Sequence, residues 1–161
     1  MTESEFICAL KRNKQRLFLI ALSFTKNTYD SEEILQNVFM KLWKHPKSFT
    51  DEDHIDKWLT TVCVNESKNY IKLFFRRHED IDSTEIVSHT DFESASHSAL
   101  FNAVMGLPKK ERTVIHLFYY EDFSVKQIAQ LLKIKESAVK TRLSRARSKL
   151  KKELGDEWND E

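Results

Sequence analysis

Apolar residues recur every three or four positions along almost the whole of this chain, and only two glycines and two prolines interrupt its 161 residues. That spacing gathers apolar side chains into one stripe per helix. An all-α fold is therefore expected: two small helical domains joined by a flexible acidic linker, the C-terminal one containing a helix-turn-helix. Two glycines leave no room for a Walker loop or a dinucleotide fingerprint. Cys8 and Cys63 lack any C-x-x-C or zinc spacing and sit in helical patterns, so buried thiols in a reducing cytoplasm are expected. The six histidines form no H-E-x-x-H, and no metal, cofactor or small-molecule substrate is expected. The longest apolar run, Leu17–Leu22, is far too short to span a bilayer, and no signal peptide precedes it, so a cytoplasmic location is expected.

A formal net charge of +1 hides strong local asymmetry. Residues 1–78 hold 13 basic against 10 acidic side chains, whereas 79–97 hold no basic and six acidic ones. Residues 98–154 hold 13 basic against five acidic, and the tail 155–161 has four acidic and no basic ones. A basic domain of that size suits a polyanionic partner.

Four domain segments follow, at 1–78, 79–97, 98–154 and 155–161. In the first, one helix is expected from Glu5 to about Lys26, with Leu10, Leu17, Ala21 and Phe24 inward, then a turn at Asn27-Thr28-Tyr29. Asp30 is expected to cap a second helix, with Glu33 completing a capping box and Pro46 as the stop. Ile34, Leu35, Val38, Phe39 and Leu42 form its stripe. A third helix is expected from about Ile55 to Phe75 on Ile55, Leu59, Val62 and Leu73, with Trp58 in the core. The second helical group is expected to start near Ala99, with Pro108 in the first turn of a helix reaching Tyr120. Ser124, with Gln127 three residues on, reads as a second capping box. In the last helix Val139, Leu143, Ala146 and Leu150 form one apolar stripe. Ser137, Lys140, Thr141, Ser144 and Arg145 lie opposite, with Arg142 and Arg147 flanking. A short helix, a break at Ile134 and this second helix make a helix-turn-helix, whose second helix suits a DNA major groove.

The two halves of the chain identify each other. The segment LPKKERTVIHLFYYEDFSVKQIAQLLKIKESAVKTRLSRARSKL resembles the −35 binding domain of bacterial sigma factors. The segments DSEEILQNVFMKLWKHPKSF and KWLTTVCVNESKNYIK resemble their core-binding and −10 recognition domain. With only these two domains and a short linker, the chain resembles the extracytoplasmic-function (ECF) branch. The D-x-E-E-x-x-Q-x-V-F-x-x-x-W pattern from Asp30 to Trp43 separates sigma factors from other helix-turn-helix proteins.

The resemblance implies a factor, not itself an enzyme, that binds the clamp helices of core RNA polymerase, directs it to −10 and −35 promoter elements and helps open the DNA. It implies that Asp30, Glu33, Gln36, Asn37 and Met40 contribute to the polymerase contact. For the −10 element it implies a base-capturing loop from His45 to Asp56, including Lys47, Ser48, Phe49 and Asp51. The helix beyond it offers Lys57, Thr61, Asn65, Lys68, Asn69 and Lys72, with Asn65 matching the Asn of the family's W-L-x-x-I-A-x-N pattern. For the −35 element it implies Lys135, Glu136, Ser137, Lys140, Thr141, Arg142 and Arg145. Arg can pair bidentately with guanine, and Lys or Ser can hold phosphates. Family members are usually held inactive by an anti-sigma factor, often membrane-anchored, so such a partner is expected. The acidic linker fits a polyanion mimic threaded through polymerase.

The chain departs from the family pattern at several places. Lys133 stands where the turn of the helix-turn-helix usually has Gly, Asp122 where Gly usually follows Glu121, and Lys135 where a Ser often caps the recognition helix. Asn69 and Tyr70 stand where Asp and Arg are frequent. A repressor that never meets polymerase would leave the Asp30–Trp43 pattern unused. A sigma-like decoy without a DNA role would leave the basic charge of 98–154 unused.

Overall fold

The computed structural model describes residues 1–45, 48–77 and 99–155, and every element among them is helical. The linker 79–97, the acidic tail from residue 156 on, Pro46 and Lys47 lie outside the described residues. The chain divides into two compact units, Met1–Val87 and Ser88–Glu161.

The first unit is a three-helix bundle of α1 (Glu3–Thr25), α2 (Thr28–Trp43) and α3 (Glu52–Arg77), each helix packed on the other two. A reciprocal capping box starts α1: Glu5 N–H donates to Thr2 Oγ1 at 3.1 Å, and Thr2 N–H to Glu5 Oε2 at 2.7 Å. That second bond holds the Glu5 carboxyl below its ordinary pKa. Leu17, Ile20, Ile34, Val38, Leu42 and Leu59 are fully buried, each contributing roughly 1.5–3 kcal/mol.

Three expectations for this unit change. Asp30 does not cap α2. Lys26 turns left-handed (φ 56) and ends α1, and Asn27 follows extended, the backbone an N-cap requires. Asn27 Oδ1 accepts from Asp30 N–H at 2.9 Å, and Thr28 and Tyr29 are already helical. The Thr25 and Ser31 hydroxyls, 2.8 Å apart, close the junction. Second, α3 starts at Glu52, because Asp51 Oδ1 accepts from His54 N–H at 2.8 Å, and its last turns carry Leu73 outward. Third, Cys63 is buried and donates to Leu17 O at 3.4 Å, but Cys8 is exposed.

The second unit comprises α4 (Ala99–Met105), α5 (Lys109–Ile115), α6 (Val125–Leu132) and α7 (Glu136–Leu154). α5 runs on as a π-helical stretch, His116–Tyr120. Pro108 lies one residue outside α5, at its N-cap (φ −56, ψ 149). α4, α5 and α6 all pack on α7, whose stripe of Val139, Leu143, Ala146 and Leu150 is buried. Ser124 and Gln127 form the capping box of α6 as read from the sequence.

Lys133 and Asp122 both take left-handed backbone, φ 59 and 57. Lys133→Gly removes the Cβ clash at some cost in unfolded-chain entropy, so a net gain of about 0.5 kcal/mol is expected. A rise in urea midpoint at unchanged slope is the check.

His116 is buried against Tyr120, ring centroids 5.0 Å apart, and its Nε2 has no hydrogen-bond partner among the described residues. Burial lowers its pKa from 6.5 to about 4. The unfolded chain therefore takes up a proton that the folded unit refuses. Stability of this unit is full above pH 6.5 and falls as pH drops toward 4. His116→Phe is expected to flatten that limb of the stability–pH curve measured by urea unfolding.

Candidate functional site

Three exposed surfaces gather the side chains singled out above, two on the first unit and one on the second. On α2, the buried stripe turns Glu33, Gln36, Asn37 and Met40 to the opposite face, and all four are exposed, Met40 at 52%. Their i, i+3, i+4, i+7 spacing makes one continuous patch. Trp43, also 52% exposed, extends it and meets the Phe6 ring edge-on at 5.1 Å. Asp30 stands apart. It is half-buried and accepts a 2.7 Å hydrogen bond from Tyr70 Oη on α3, whose hydroxyl also lies 3.3 Å from Glu33 Oε2. Burial, with those two carboxylates beside it, holds the phenol firmly protonated. Tyr70 is a residue that motif reading missed as an anchor; its only signal was that it stands where Arg is frequent.

On α3, Lys57, Thr61, Asn65, Asn69 and Lys72 are exposed and Lys68 half-buried, so the spacing by three and four holds them on one side. Lys57 Nζ lies 3.0 Å from Asp53 Oδ2, one turn back, with both side chains largely exposed; a pair in that setting gives way readily. The preceding loop is held by rings. Phe49 stacks on His45 at 4.6 Å and meets His54 and Trp58 edge-on at 5.1 and 5.6 Å. Trp58 is half-buried beneath this loop rather than in the bundle core. A cleft of about 390 Å³ opens between α1 and the loop, lined by Cys8, Arg12, Ser48, Phe49, Asp51 and Ile55 among others.

On α7, Lys135, Glu136, Ser137, Lys140, Thr141 and Arg145 are exposed and Arg142 is half-buried. Lys135 occupies the N-cap position with no side-chain cap bond. The helix sorts its cations. Arg147 Nε donates to Tyr119 Oη at 2.8 Å and its guanidinium lies over the Phe118 and Tyr119 rings at 5.4 and 5.6 Å. Lys149 Nζ lies 2.8 Å from the buried Glu111 carboxylate. Both hold α5 and its π stretch against α7, while Lys140 and Arg145 stay on the exposed face. Sequence spacing alone could not sort them, because the partners lie 28 and 38 residues away.

Lys135→Ser adds the missing cap, worth about 1 kcal/mol. Should Lys135 hold a phosphate, the same change lowers DNA affinity and reduces the slope of log affinity against log salt by about 1. Urea unfolding and DNA titrations at several salt concentrations read the two effects separately.

Among the described residues no helix is long and apolar enough to cross a membrane, and no group of His, Cys, Asp and Glu is arranged to hold a metal.

Comparison with known proteins adds the following. Residues 9–73 match the family model described as Sigma-70 region 2, and residues 97–150 match Sigma-70, region 4. RNA polymerase sigma factor SigV of Bacillus subtilis (strain 168) is 25% identical over 146 residues, covering 90% of this chain and 88% of that protein. ECF RNA polymerase sigma factor SigM of the same organism is 25% identical over 154 residues, covering 90% and 92%. Among solved structures, the sigma factor RpoE in complex with the anti-sigma factor NepR from Bartonella quintana matches with a TM-score of 0.72 at 24% identity, over 96% of this chain and 99% of that one. CnrH in complex with the cytosolic domain of CnrY matches with a TM-score of 0.58 at 22% identity, over 95% and 89%.

Proposed function

Since the chain belongs to the sigma-70 family, as an ECF-type factor carrying regions 2 and 4, we propose that it joins core RNA polymerase through the exposed face of α2 and reads promoter −10 and −35 elements through α3 and α7. The observation that carries this reading is the pairing, in one chain, of an acid-and-amide helix face with a separate helix that keeps Lys140 and Arg145 outward.

Each surface suits its task chemically. Carboxylates and amides accept from and donate to a basic helix of the polymerase clamp, and charge-assisted bonds of this kind are the strong ones. Glu33, Gln36, Asn37 and Met40 would make that contact, with Asp30 steadied by Tyr70. Extruding a base costs a few kcal/mol, returned by stacking and a fitted pocket. The ring-held loop from Ser48 to Asp51 would receive that base, and Lys57, Thr61, Asn65, Lys68 and Asn69 would follow the strand. On the −35 element, Lys135, Ser137, Lys140 and Thr141 would hold phosphates, while Glu136, Arg142 and Arg145 would read base edges. The domain limits 1–78, 79–97 and 98–154 divide these tasks.

The chain acts as an initiation factor, and polymerase supplies the bond-making chemistry. Its work lies with polymerase in the cytoplasm. RpoE and CnrH are each seen with an anti-sigma partner, and we extend that to a protein, membrane-anchored or free, that holds this chain inactive.

Mixing the purified chain with core polymerase and a promoter library tests the reading. Initiation at a defined class of promoters is expected, and factor-independent background alone would overturn it. Within that assay, Arg145→Ala is expected to cost about 1–3 kcal/mol of −35 binding and to relax preference at one base position.

A further inference from the structure

We infer that Arg12, Asn13 and Arg16 of α1, through Asp56, are positioning residues for the −10-reading helix and its base-capture loop, an inference that rests on the −10 role proposed above. None of the three lies in a motif stretch, and Asp56, at the end of the loop as read from the sequence, directly precedes Lys57, the first −10 candidate on α3. Arg12 grips the Asp56 carboxylate with a fork: Nη2 to Oδ1 at 2.8 Å, Nε to Oδ1 and Oδ2 at 3.1 and 3.2 Å. Asn13, 1% exposed, adds Nδ2 to the same Oδ1 at 2.8 Å and anchors itself on Ala9 O at 2.9 Å. Arg16 donates to Thr60 Oγ1 at 2.6 Å and to the Asp56 carbonyl at 3.2 Å, and is braced by Asn13 Oδ1 at 2.6 Å. Arg12 also reaches Glu52 Oε1 at 3.6 Å. The donors on Asp56 hold its carboxyl below the ordinary range against the opposing effect of burial.

Two successive turns of α1 thus grip the first three turns of α3 by polar bonds, which add direction to the contact that apolar packing provides. A fork-to-carboxylate pair fixes direction as well as distance. Partly exposed ion pairs add little stability, so three donors converging on one carboxylate do more for geometry than for folding. Asp56 lies in the second turn of α3, directly before Lys57, Thr61 and Asn65. Glu52 and Arg12 border the cleft beside Phe49. A shift of the first turns of α3 would move the start of the strand-following face and the base-capture loop together, whereas the α2 patch meets α3 about four turns further on, at Tyr70.

The experiment compares full-length Asp56→Asn, Arg12→Gln and their double variant with the unaltered chain in three assays: holoenzyme formation with core polymerase, opening of a duplex promoter read by permanganate reactivity, and initiation from the same promoter pre-melted around the −10 element. Holoenzyme formation is expected within about twofold of the unaltered chain. Duplex opening is expected to fall at least ~10-fold in both single variants. The double variant is expected to be no worse than either, because the two residues act as one unit. Pre-melted DNA is expected to restore most of the loss, and Arg12→Lys, keeping the charge without the fork, to remain defective on duplex. Duplex opening within twofold of the unaltered chain overturns the inference. So does an equal loss on pre-melted DNA, or a loss that follows weakened holoenzyme formation. Failure of the unaltered chain to open any promoter would instead overturn the proposed function.

Discussion

Replacing Gln36 and Asn37 together by lysine is expected to abolish promoter-specific initiation while leaving the three-helix bundle folded. Both side chains are exposed on the face of α2 opposite its buried stripe. Lysine is at least as good a helix former as asparagine or glutamine, so the bundle has no reason to loosen. The patch they occupy includes Glu33, with Glu32 beside it and Lys41 one turn on. Two added cations reverse its sign. Against a basic polymerase helix, like charges at contact distance cost several kcal/mol, enough to weaken holoenzyme formation by more than about 100-fold. Circular dichroism and titration with labelled core polymerase read the two halves of the expectation. Near-native holoenzyme formation by a folded double variant would remove α2 as the docking face.

Leu143→Ala is expected to have the largest effect on stability. Leu143 is 2% exposed, at the middle of the stripe on which α4, α5 and α6 converge. Truncating such a residue costs about 2–5 kcal/mol, a large share of what a unit this small possesses. Binding to −35 duplex DNA should be lost through unfolding, while polymerase binding by the first unit persists. Arg145→Ala provides the contrast, since it weakens the same DNA binding without moving the urea midpoint. Equal midpoints for Leu143→Ala and the unaltered chain would show that the stripe does not hold this unit together.

The sequence alone determined the helical class, the stripes of α2 and α7 and the Ser124 capping box. Each of these is decided by residues within about four positions of one another, the range over which helical period and caps operate. That Asn27, read from the sequence as a turn residue, caps α2 in place of Asp30 was decided only in the folded chain, where the left-handed Lys26 leaves Asn27 extended and the Thr25–Ser31 contact closes the junction. The fate of the two thiols was decided by packing: both lie in helical patterns, and the bundle buries Cys63 while leaving Cys8 exposed. The grip of Arg12 on Asp56, of Tyr70 on Asp30, and of Tyr119 on Arg147 spans 44, 40 and 28 residues. No local rule reaches that far. A charged or phenolic side chain carries its hydrogen-bonding capacity in the sequence, but its partner is chosen by whichever helix the buried stripes bring alongside.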